Sequence, residues 1–330
     1  MNTIVQALKY ALVLLVVTII AGVVYQWFSA RADSKNFPPP GVMHSVDGLN
    51  IHMDCRGQGT PAVILEAGLT FGSTSWGLVH DALAQQTRVC AYDRPGIDWS
   101  EQTRVPLSAE RVAERLHTLL NVAKLDGPII LLGMSAGGVF VREYYARYPE
   151  QVVGMVLVDS SHEQQGNRLP SIGGTSQLST MLTLCSWVQP LGIVRALGVM
   201  DGLLERYELP EPQRQLLTAT VNQNHTCAAM LRESEGFNRE IFDADPPRSL
   251  GNLPLVVLSQ GKTPDADNEF GLPIKQAREM ATIWDELQTE LTRLSTAGQR
   301  HIARESGHVI QLEQPQIVID AVTELVTRLR

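Results

Sequence analysis

One serine stands in the pattern Gly-x-Ser-x-Gly, within the sequence GPIILLGMSAGG of residues 127–138. Four apolar residues precede the pattern, and the apolar positions after it change to a helical spacing. This change predicts a buried strand, a sharp turn and a helix, with Ser135 at the turn. A serine hydroxyl lifted above a sheet edge in this way is suited to nucleophilic attack, provided that a base, an acid and an oxyanion hole lie nearby.

Short apolar segments alternate with helical segments along the rest of the chain, which predicts a mostly parallel sheet covered by helices. The predicted helices cover about 108–123, the segment from Ser135 to about 148, 276–294 and 314–329. The predicted strands are 42–46, 50–55, 62–65, 89–92, 129–132, 153–158, 253–258 and 300–304. Between the first two strands, Asp47-Gly48 is a hairpin signal.

The alternation stops between about 162 and 250, where helical pieces occur without a strand. This insertion follows the strand that comes after the serine's helix. Loops at the carboxyl ends of parallel strands are where α/β folds bind ligands, so we interpret the insertion as a cap or lid. A helical subdomain that only stabilises the fold is the alternative.

The N-terminus carries a long apolar segment, since residues 10–28 contain no charged side chain. At about 1.5 Å per residue, it nearly matches a hydrocarbon core of about 30 Å. Aromatic residues suited to a membrane interface stand at its end: Tyr25, Trp27 and Phe28. Residues 1–30 are therefore predicted to be a single-pass anchor, with a signal peptide cleaved after Ala30 as the alternative. The few flanking charges leave open which side of the membrane the rest occupies.

The remaining residues divide into a Pro-rich linker at 31–41 and one domain at 42–330. The formal net charge of −8 gives no reason to expect a nucleic acid partner. No His-x-x-x-His pattern or clustered Cys/His spacing is present, so we expect neither a metal nor another cofactor.

Four cysteines occur in two groups. Cys55 and Cys90 fall in predicted strands, and we interpret them as free, small core residues. Cys185 and Cys227 lie in the predicted cap and would pair in an oxidising compartment, although their spacing does not show that they do.

Four stretches together resemble the α/β-hydrolase superfamily, in its branch with a helical cap. The resemblance covers about residues 42–330, and the order of the stretches makes it more specific than any one of them. They are LEAGL at 65–69, YDRPG at 92–96, GMSAGG at 133–138 and SGHVIQLEQP at 306–315. The resemblance implies an α/β-hydrolase fold with Ser135 as its nucleophile.

The resemblance also implies the base and restricts the acid. His308 follows Ser306-Gly307 after the last predicted strand, where the family carries its catalytic histidine. In the family the acid lies between serine and histidine. Asp159 ends the strand 153–158, and this rigid mount makes it our preferred acid. The alternative is Asp265, in the loop after the next strand, where most relatives place the acid.

Asp265 departs from the family's usual Gly-x-x-Asp spacing by one residue, and Asp267 and Glu269 crowd the same loop. The oxyanion hole requires two backbone N–H donors. We expect them to be Ala136, directly after the nucleophile, and Leu69, in the loop where relatives usually have His-Gly-x.

These residues predict a serine hydrolase that cleaves a carboxylic ester or a related acyl compound through an acyl-enzyme on Ser135. The anchor and an apolar cap favour a lipophilic small-molecule ester. Lipase-like, thioesterase, C–C hydrolase and acyltransferase activities remain alternatives. A membrane-tethered ligand-binding protein without catalytic activity is an alternative from another class.

Overall fold

A twisted sheet of eight strands forms the centre of the fold in a computed structural model, which describes residues 2–169, 173–243, 248–265 and 272–330. The strands are β1 (Val42–Val46), β2 (Leu49–Arg56), β3 (Ala62–Glu66), β4 (Val89–Tyr92), β5 (Ile129–Met134), β6 (Val152–Val158), β7 (Leu255–Gln260) and β8 (Gly298–Ala303). Their order is β1-β2-β4-β3-β5-β6-β7-β8. β1 and β2 pair antiparallel, as do β2 and β4, and all further neighbours are parallel.

All eight predicted strands are present, with ends shifted by at most a few residues. The hairpin at Asp47-Gly48 is confirmed, because both residues have the positive φ angles, 52° and 76°, of a type I′ turn. The short helix Gly77–Ala84 was not predicted, because its apolar residues show no distinct helical period.

Helices cover both faces of the sheet. The described residues form α1 (Asn2–Asn36), α2 (Gly77–Ala84), α3 (Ala109–Val122), α4 (Ala136–Arg147), α5 (Gln165–Arg168), α6 (Gly173–Val188), α7 (Ile193–Ala196), α8 (Val199–Leu204), α9 (Glu211–Val221), α10 (Thr226–Asp243), α11 (Ile274–Thr292), α12 (Ile310–Glu313) and α13 (Pro315–Arg328). Along β5, Ile129 and Leu131 pack in the core beneath α3, α4 and α11, whereas Ile130 and Leu132 pack beneath α2 and α13. A strand covered on both faces must be apolar at every position, which is why β5 has an unbroken apolar run.

The predicted helical cap lies between β6 and β7 and consists of α5 to α10 in the described residues. Two parts of the predicted 162–250 segment, 170–172 and 244–247, lie outside the described residues. The cap follows β6 at the carboxyl edge of the sheet, which is also the edge where β5 ends at Ser135. The insertion therefore lies on the side of the sheet that carries the candidate nucleophile.

Helix α1 corrects the predicted linker. It continues to Asn36, so the extended segment is reduced from residues 31–41 to residues 37–41. No Gly or Pro occurs between Gly22 and Pro38, and Lys35 in the last turn suits the negative end of the helix dipole. The helix ends where the proline run disfavours helical backbone in the residue before it.

The C-terminal half of α1 is docked on the cap. Gln26 is buried, and its side-chain amide donates to the backbone oxygen of Asn222 at 2.8 Å. Ala30, one turn further along, is buried as well, and Gly22, one turn earlier, lies against the backbone of Leu191. By length and composition, α1 is a candidate membrane span.

The prediction that Cys55 and Cys90 are free was wrong. They are direct partners on the antiparallel strands β2 and β4 and form a disulfide. Strand order brings them together, and the order of a sheet cannot be read from the spacing of two cysteines. Cys185 and Cys227 also form a disulfide, which joins α6 to α10.

Candidate active site

Ser135 lies at the junction of β5 and α4 with a φ of 51° and a ψ of −124°. A residue with a side chain reaches such a conformation only at a cost of about 1–3 kcal/mol. Three backbone hydrogen bonds hold it there: its N–H donates to Val158, and its carbonyl accepts from the N–H groups of Gly138 and Ser161. The flanking glycines, Gly133 and Gly137, allow the backbone segments around Ser135 to pack closely together. A Cβ at Gly133 would lie 2.5 Å from the Gly137 oxygen, and a Cβ at Gly137 would lie 2.5 Å from the Glu66 oxygen.

Ser135, His308 and Asp159 form a continuous chain of hydrogen bonds. The distance from His308 Nε2 to Ser135 Oγ is 2.9 Å, and the distance from His308 Nδ1 to Asp159 Oδ2 is 2.6 Å. Asp159 is completely buried at the end of β6, whereas His308 is partly exposed in the loop after β8. The three side chains come from three loops at one edge of the sheet, which is the arrangement that a serine, base and acid require.

The second oxygen of Asp159 is held by two further donors. The backbone N–H of Gln260 donates to Oδ1 at 2.9 Å, and the indole N–H of Trp284 donates to it at 3.0 Å. Trp284 comes from α11, and its ring also lies edge-on to the His308 ring. Sequence reasoning missed Trp284, because its position in an amphipathic helix gives no sign of a polar contact 125 residues away.

Asp265, the alternative acid, lies elsewhere. Its carboxylate forms an ion pair with Arg278 at 2.8 Å, and its side chain is 54% exposed. Asp267 and Glu269, which share its loop, lie outside the described residues. The geometry therefore favours Asp159 over Asp265 as the partner of His308.

The predicted oxyanion donors lie beside the serine. Ala136 is the first residue of α4, so its N–H has no acceptor within the helix. Leu69 follows Gly68, where a Cβ would lie 2.6 Å from the sulfur of Met134 and 3.1 Å from the Ser135 Cβ. Glycine at position 68 thus allows the loop to approach the nucleophile. Leu69 and Ser135 both line one cavity.

A buried arginine holds residues 67–71, the loop that carries Leu69, which we call the oxyanion loop after its predicted role. Arg94 donates to the carbonyl oxygens of Ala67 and Gly68, both at 2.7 Å, and to that of Phe71 at 3.2 Å. Three carbonyls bound by one rigid guanidinium fix the backbone of the loop between them. The YDRPG stretch thus braces the oxyanion loop from behind.

Two buried carboxylates balance the charge of Arg94. Glu66 accepts a hydrogen bond from it at 2.6 Å, and Glu233 of the cap helix α10 accepts one at 2.7 Å. Burial alone would lower the pKa of Arg94, but Glu233 and Glu66 outweigh it and raise that pKa. Burial raises the pKa of Glu66, although Arg94 and the Tyr92 hydroxyl oppose the shift. Glu233 also accepts from the N–H of Thr70 at 2.9 Å, which ties the cap to the oxyanion loop.

The loop after Asp159 is braced in a similar way. Arg142, buried in α4, donates to the Ser160 hydroxyl at 2.9 Å and to the Ser161 carbonyl at 2.8 Å. It also forms an ion pair with Glu163 at 3.0 Å. Since Ser161 donates to the carbonyl of Ser135, this network holds the loop after Asp159 against Ser135.

A cavity of about 330 Å³ opens over Ser135 and His308. Its walls come from the oxyanion loop, the cap and α11, and they are mostly apolar. They include Leu69, Leu169, Leu178, Phe237, Leu272, Met280 and Trp284. Polar side chains also line the cavity, and besides Ser135 and His308 they include Gln165, Asn238, Gln260 and Lys262. Among the described residues, no group of three His, Cys, Asp or Glu side chains has a geometry that could hold a metal ion.

Known proteins share this architecture. A model of the alpha/beta hydrolase family matches residues 63–321. An AB hydrolase superfamily protein from Gibberella zeae is 26% identical over 294 residues, which cover 82% of this chain and 87% of that protein.

Two solved structures are similar in fold. One is an esterase from Thermogutta terrifontis, with a TM-score of 0.63 and 18% identity over 87% of this chain and 98% of that chain. The other is the epoxide hydrolase CorEH, with a TM-score of 0.63, 17% identity and the same coverage. At this level of identity the two structures show the fold alone. The family match over most of the chain shows that the protein belongs to the α/β-hydrolase family.

Proposed function

We propose that this protein is a serine hydrolase that cleaves a carboxylic ester, or a closely related acyl compound, through an acyl-enzyme on Ser135. The observation that carries the proposal is the hydrogen-bonded chain from Ser135 through His308 to Asp159, with distances of 2.9 and 2.6 Å. The chain has the geometry of a nucleophile, a general base and an orienting acid.

In the proposed reaction, His308 Nε2 accepts the hydroxyl proton as Ser135 Oγ attacks the carbonyl carbon of the ester. The N–H groups of Leu69 and Ala136 stabilise the negative oxygen of the tetrahedral intermediate. The imidazolium then gives its proton to the departing alkoxide, which leaves as the alcohol. Water, deprotonated by His308, attacks the acyl-enzyme; the bond to Ser135 Oγ then breaks, the imidazolium returns its proton to Oγ, and the carboxylic acid is released. Asp159 keeps the imidazole in the required tautomer throughout.

The identity of the nucleophile argues against epoxide opening, although an epoxide hydrolase has a similar fold. Attack of a serine oxygen on an epoxide carbon would leave an ether, which water does not readily cleave. Attack on an acyl carbon leaves an ester, which a second water-driven step can remove. Ser135 at the elbow therefore favours acyl chemistry.

The cavity supports a lipophilic substrate. Its volume of about 330 Å³ and its leucine-rich walls suit an acyl chain or an apolar alcohol group better than a charged metabolite. We place the hydrolase domain on the oxidising side of a membrane, tethered by α1, because both disulfides require such a compartment.

The experiment that tests the proposal is covalent labelling by a fluorophosphonate, followed by turnover of ester substrates of increasing chain length. We expect labelling of the natural protein at Ser135 and its loss in Ser135→Ala. Folded protein that binds an apolar ester tightly without being labelled or turning it over would instead support a non-catalytic binding protein. Release of the acyl group to an added alcohol rather than to water would identify an acyltransferase.

A further inference from the structure

Exposed apolar side chains are concentrated in the part of the cap that runs from α6 to α8. The described residues outside α1 expose fourteen large apolar side chains, and eight of them lie between positions 178 and 203. The most exposed are Met181, Leu184, Trp187, Leu197 and Leu203. Trp187 and Leu197 are 72% and 73% exposed, which is unusual for such side chains on a surface that meets only water. We call the eight residues together the apolar cap face: Leu178, Met181, Leu184, Trp187, Ile193, Leu197, Val199 and Leu203.

Charge is almost absent from this part of the chain. Between positions 178 and 203 the sequence has two charged residues, Arg195 and the exposed Asp201. The guanidinium of Arg195 is directed to α1, where it forms an ion pair with Asp33 at 2.7 Å and donates to Gln26 at 3.1 Å. An exposed apolar surface with so few charges is costly in water and favourable in a lipid interface.

Helix α1 lies beside the apolar cap face. Residues 3–21 of α1 are exposed on all sides and extend over about 28 Å, close to the thickness of a hydrocarbon core. The cap meets the helix where this segment ends, since Gly22 lies against Leu191 and Gly192 lies against Tyr25. If residues 3–21 span the bilayer, the turn that leads from α6 to α7 lies at its surface.

We propose that the apolar cap face lies in the membrane interface and that the active-site cavity takes its ester from the bilayer. Leu178 links the two features, because it lines the cavity and is also 45% exposed in the apolar cap face. The substrate class is then an amphiphilic ester whose acyl chain is held in lipid, and its acid product returns there. The docking rests on the geometry of α1 and the cap, whereas the substrate class rests on the proposed function.

Fluorescence of the full-length protein in phosphatidylcholine vesicles tests the docking directly. The emission of Trp187 is obtained by subtracting the emission of a Trp187→Phe variant from that of the natural protein. The subtraction also removes the signal of Trp27 in α1, which both proteins share. With bromine atoms on the lipid acyl chains, we expect the Trp187 emission to be quenched. As a matched control, Ile302→Trp in the Trp187→Phe background places the reporter on the half-exposed edge strand β8, where we expect no quenching.

Activity provides an independent readout. Trp187→Glu and Leu197→Glu alter the apolar cap face without touching the cavity lining. We expect both to lower hydrolysis of an ester embedded in vesicles while leaving hydrolysis of a short, water-soluble ester unchanged. An equal loss on both esters would overturn the proposal that substrate enters from lipid.

Other outcomes separate this proposal from the proposed function. Equal Trp187 emission in brominated and ordinary lipid would overturn the docking, whatever the activity. Protection of Trp187 by dimerisation in detergent, without quenching by lipid, would assign the apolar cap face to a second copy of the chain and overturn the docking as well. Quenching in a protein that hydrolyses no ester would support the docking and refute the serine hydrolase.

Discussion

Trp284 donates its indole N–H to Asp159, on the carboxylate oxygen that does not face His308. Together with the N–H of Gln260, it fixes the plane of a completely buried carboxylate. The imidazole is therefore oriented by a residue that touches neither the nucleophile nor the carbonyl under attack. We regard Trp284 as a positioning residue.

Replacing Trp284 by Phe tests this relationship. The variant keeps an aromatic ring in the cavity wall but removes one hydrogen bond to a charged group, which contributes about 1.5–3 kcal/mol. We expect kcat to fall by roughly tenfold or more, with the labelling rate of Ser135 falling in parallel. Trp99→Phe is the matched control, since it removes an indole hydrogen bond to the Phe37 carbonyl away from the cavity. An equal effect of both variants would mean that Trp284 has only a structural role.

The identity of the acid is tested by Asp159→Asn and Asp265→Asn, measured side by side. We expect the first variant to lose roughly four orders of magnitude in kcat, because His308 would be held in the wrong tautomer. The second should keep its activity, since Asp265 pairs with Arg278 at the surface. Loss of turnover in Asp265→Asn alone would overturn the assignment of Asp159.

Glu233→Gln tests the tie between the cap and the oxyanion loop. The change removes the charge that faces Arg94 and weakens the hold on the Thr70 N–H, so the loop that carries Leu69 loses its fixed position. We expect kcat to fall by roughly ten- to a hundredfold, in line with the loss of oxyanion stabilisation, while KM changes little.

The control for Glu233→Gln is Asp33→Asn, which breaks another ion pair of the cap, with Arg195, far from the oxyanion loop. Thermal unfolding and kcat are measured for both variants. If both variants lose stability but only Glu233→Gln loses kcat, the result supports the tie between the cap and the oxyanion loop. A fall in kcat for both in proportion to their stability would argue against it.

Asp98 gives a prediction for pH. Burial, followed by the nearby charge of Asp93, raises its pKa from 3.8 to about 7. The folded protein therefore retains a proton that the unfolded chain releases, so the stability contributed by this group is complete below pH 3.8 and is lost as the pH rises to about 7. We expect the unfolding midpoint of Asp98→Asn to depend less on pH across this window than that of the natural protein. Parallel pH profiles would contradict the prediction.

The docking of α1 on the cap predicts a difference between two shortened chains. Removal of residues 1–20 leaves the hydrogen bond of Gln26 to Asn222 and the ion pair of Asp33 with Arg195, whereas removal of residues 1–36 takes away both. We expect only the second chain to show a lower thermal midpoint and faster proteolysis within the cap. Equal stability of the two chains in the same detergent would contradict this prediction.

Sequence patterns predicted the sheet well because a strand buried on both faces must be apolar throughout, as β5 is. They also identified Ser135 and His308 as candidate site residues, since each stands in a loop with a distinctive neighbourhood. The assignment of Asp159 remained open, because the choice depends on which loop reaches His308 in three dimensions. The disulfide of Cys55 and Cys90 was missed for a related reason, because it depends on strand order.

The contacts that support the site were the least predictable. Glu233 lies 139 residues from Arg94, and Trp284 lies 125 residues from Asp159. Neither pair shares a motif, and in the sequence Glu233 and Trp284 each resemble an ordinary helical residue. Only the packing of the cap and of α11 over the sheet brings them together.

The disulfide between Cys185 and Cys227 joins the two longest cap helices, α6 and α10. Helix α6 carries Leu178, which lines the cavity, and α10 carries Glu233, which accepts a hydrogen bond from Thr70 of the oxyanion loop. Because the disulfide ties α6 to α10, the two helices cannot separate at this point of the cap. We therefore expect a displacement of α6 at the cavity wall to be transmitted to Glu233, and through it to the loop that carries Leu69.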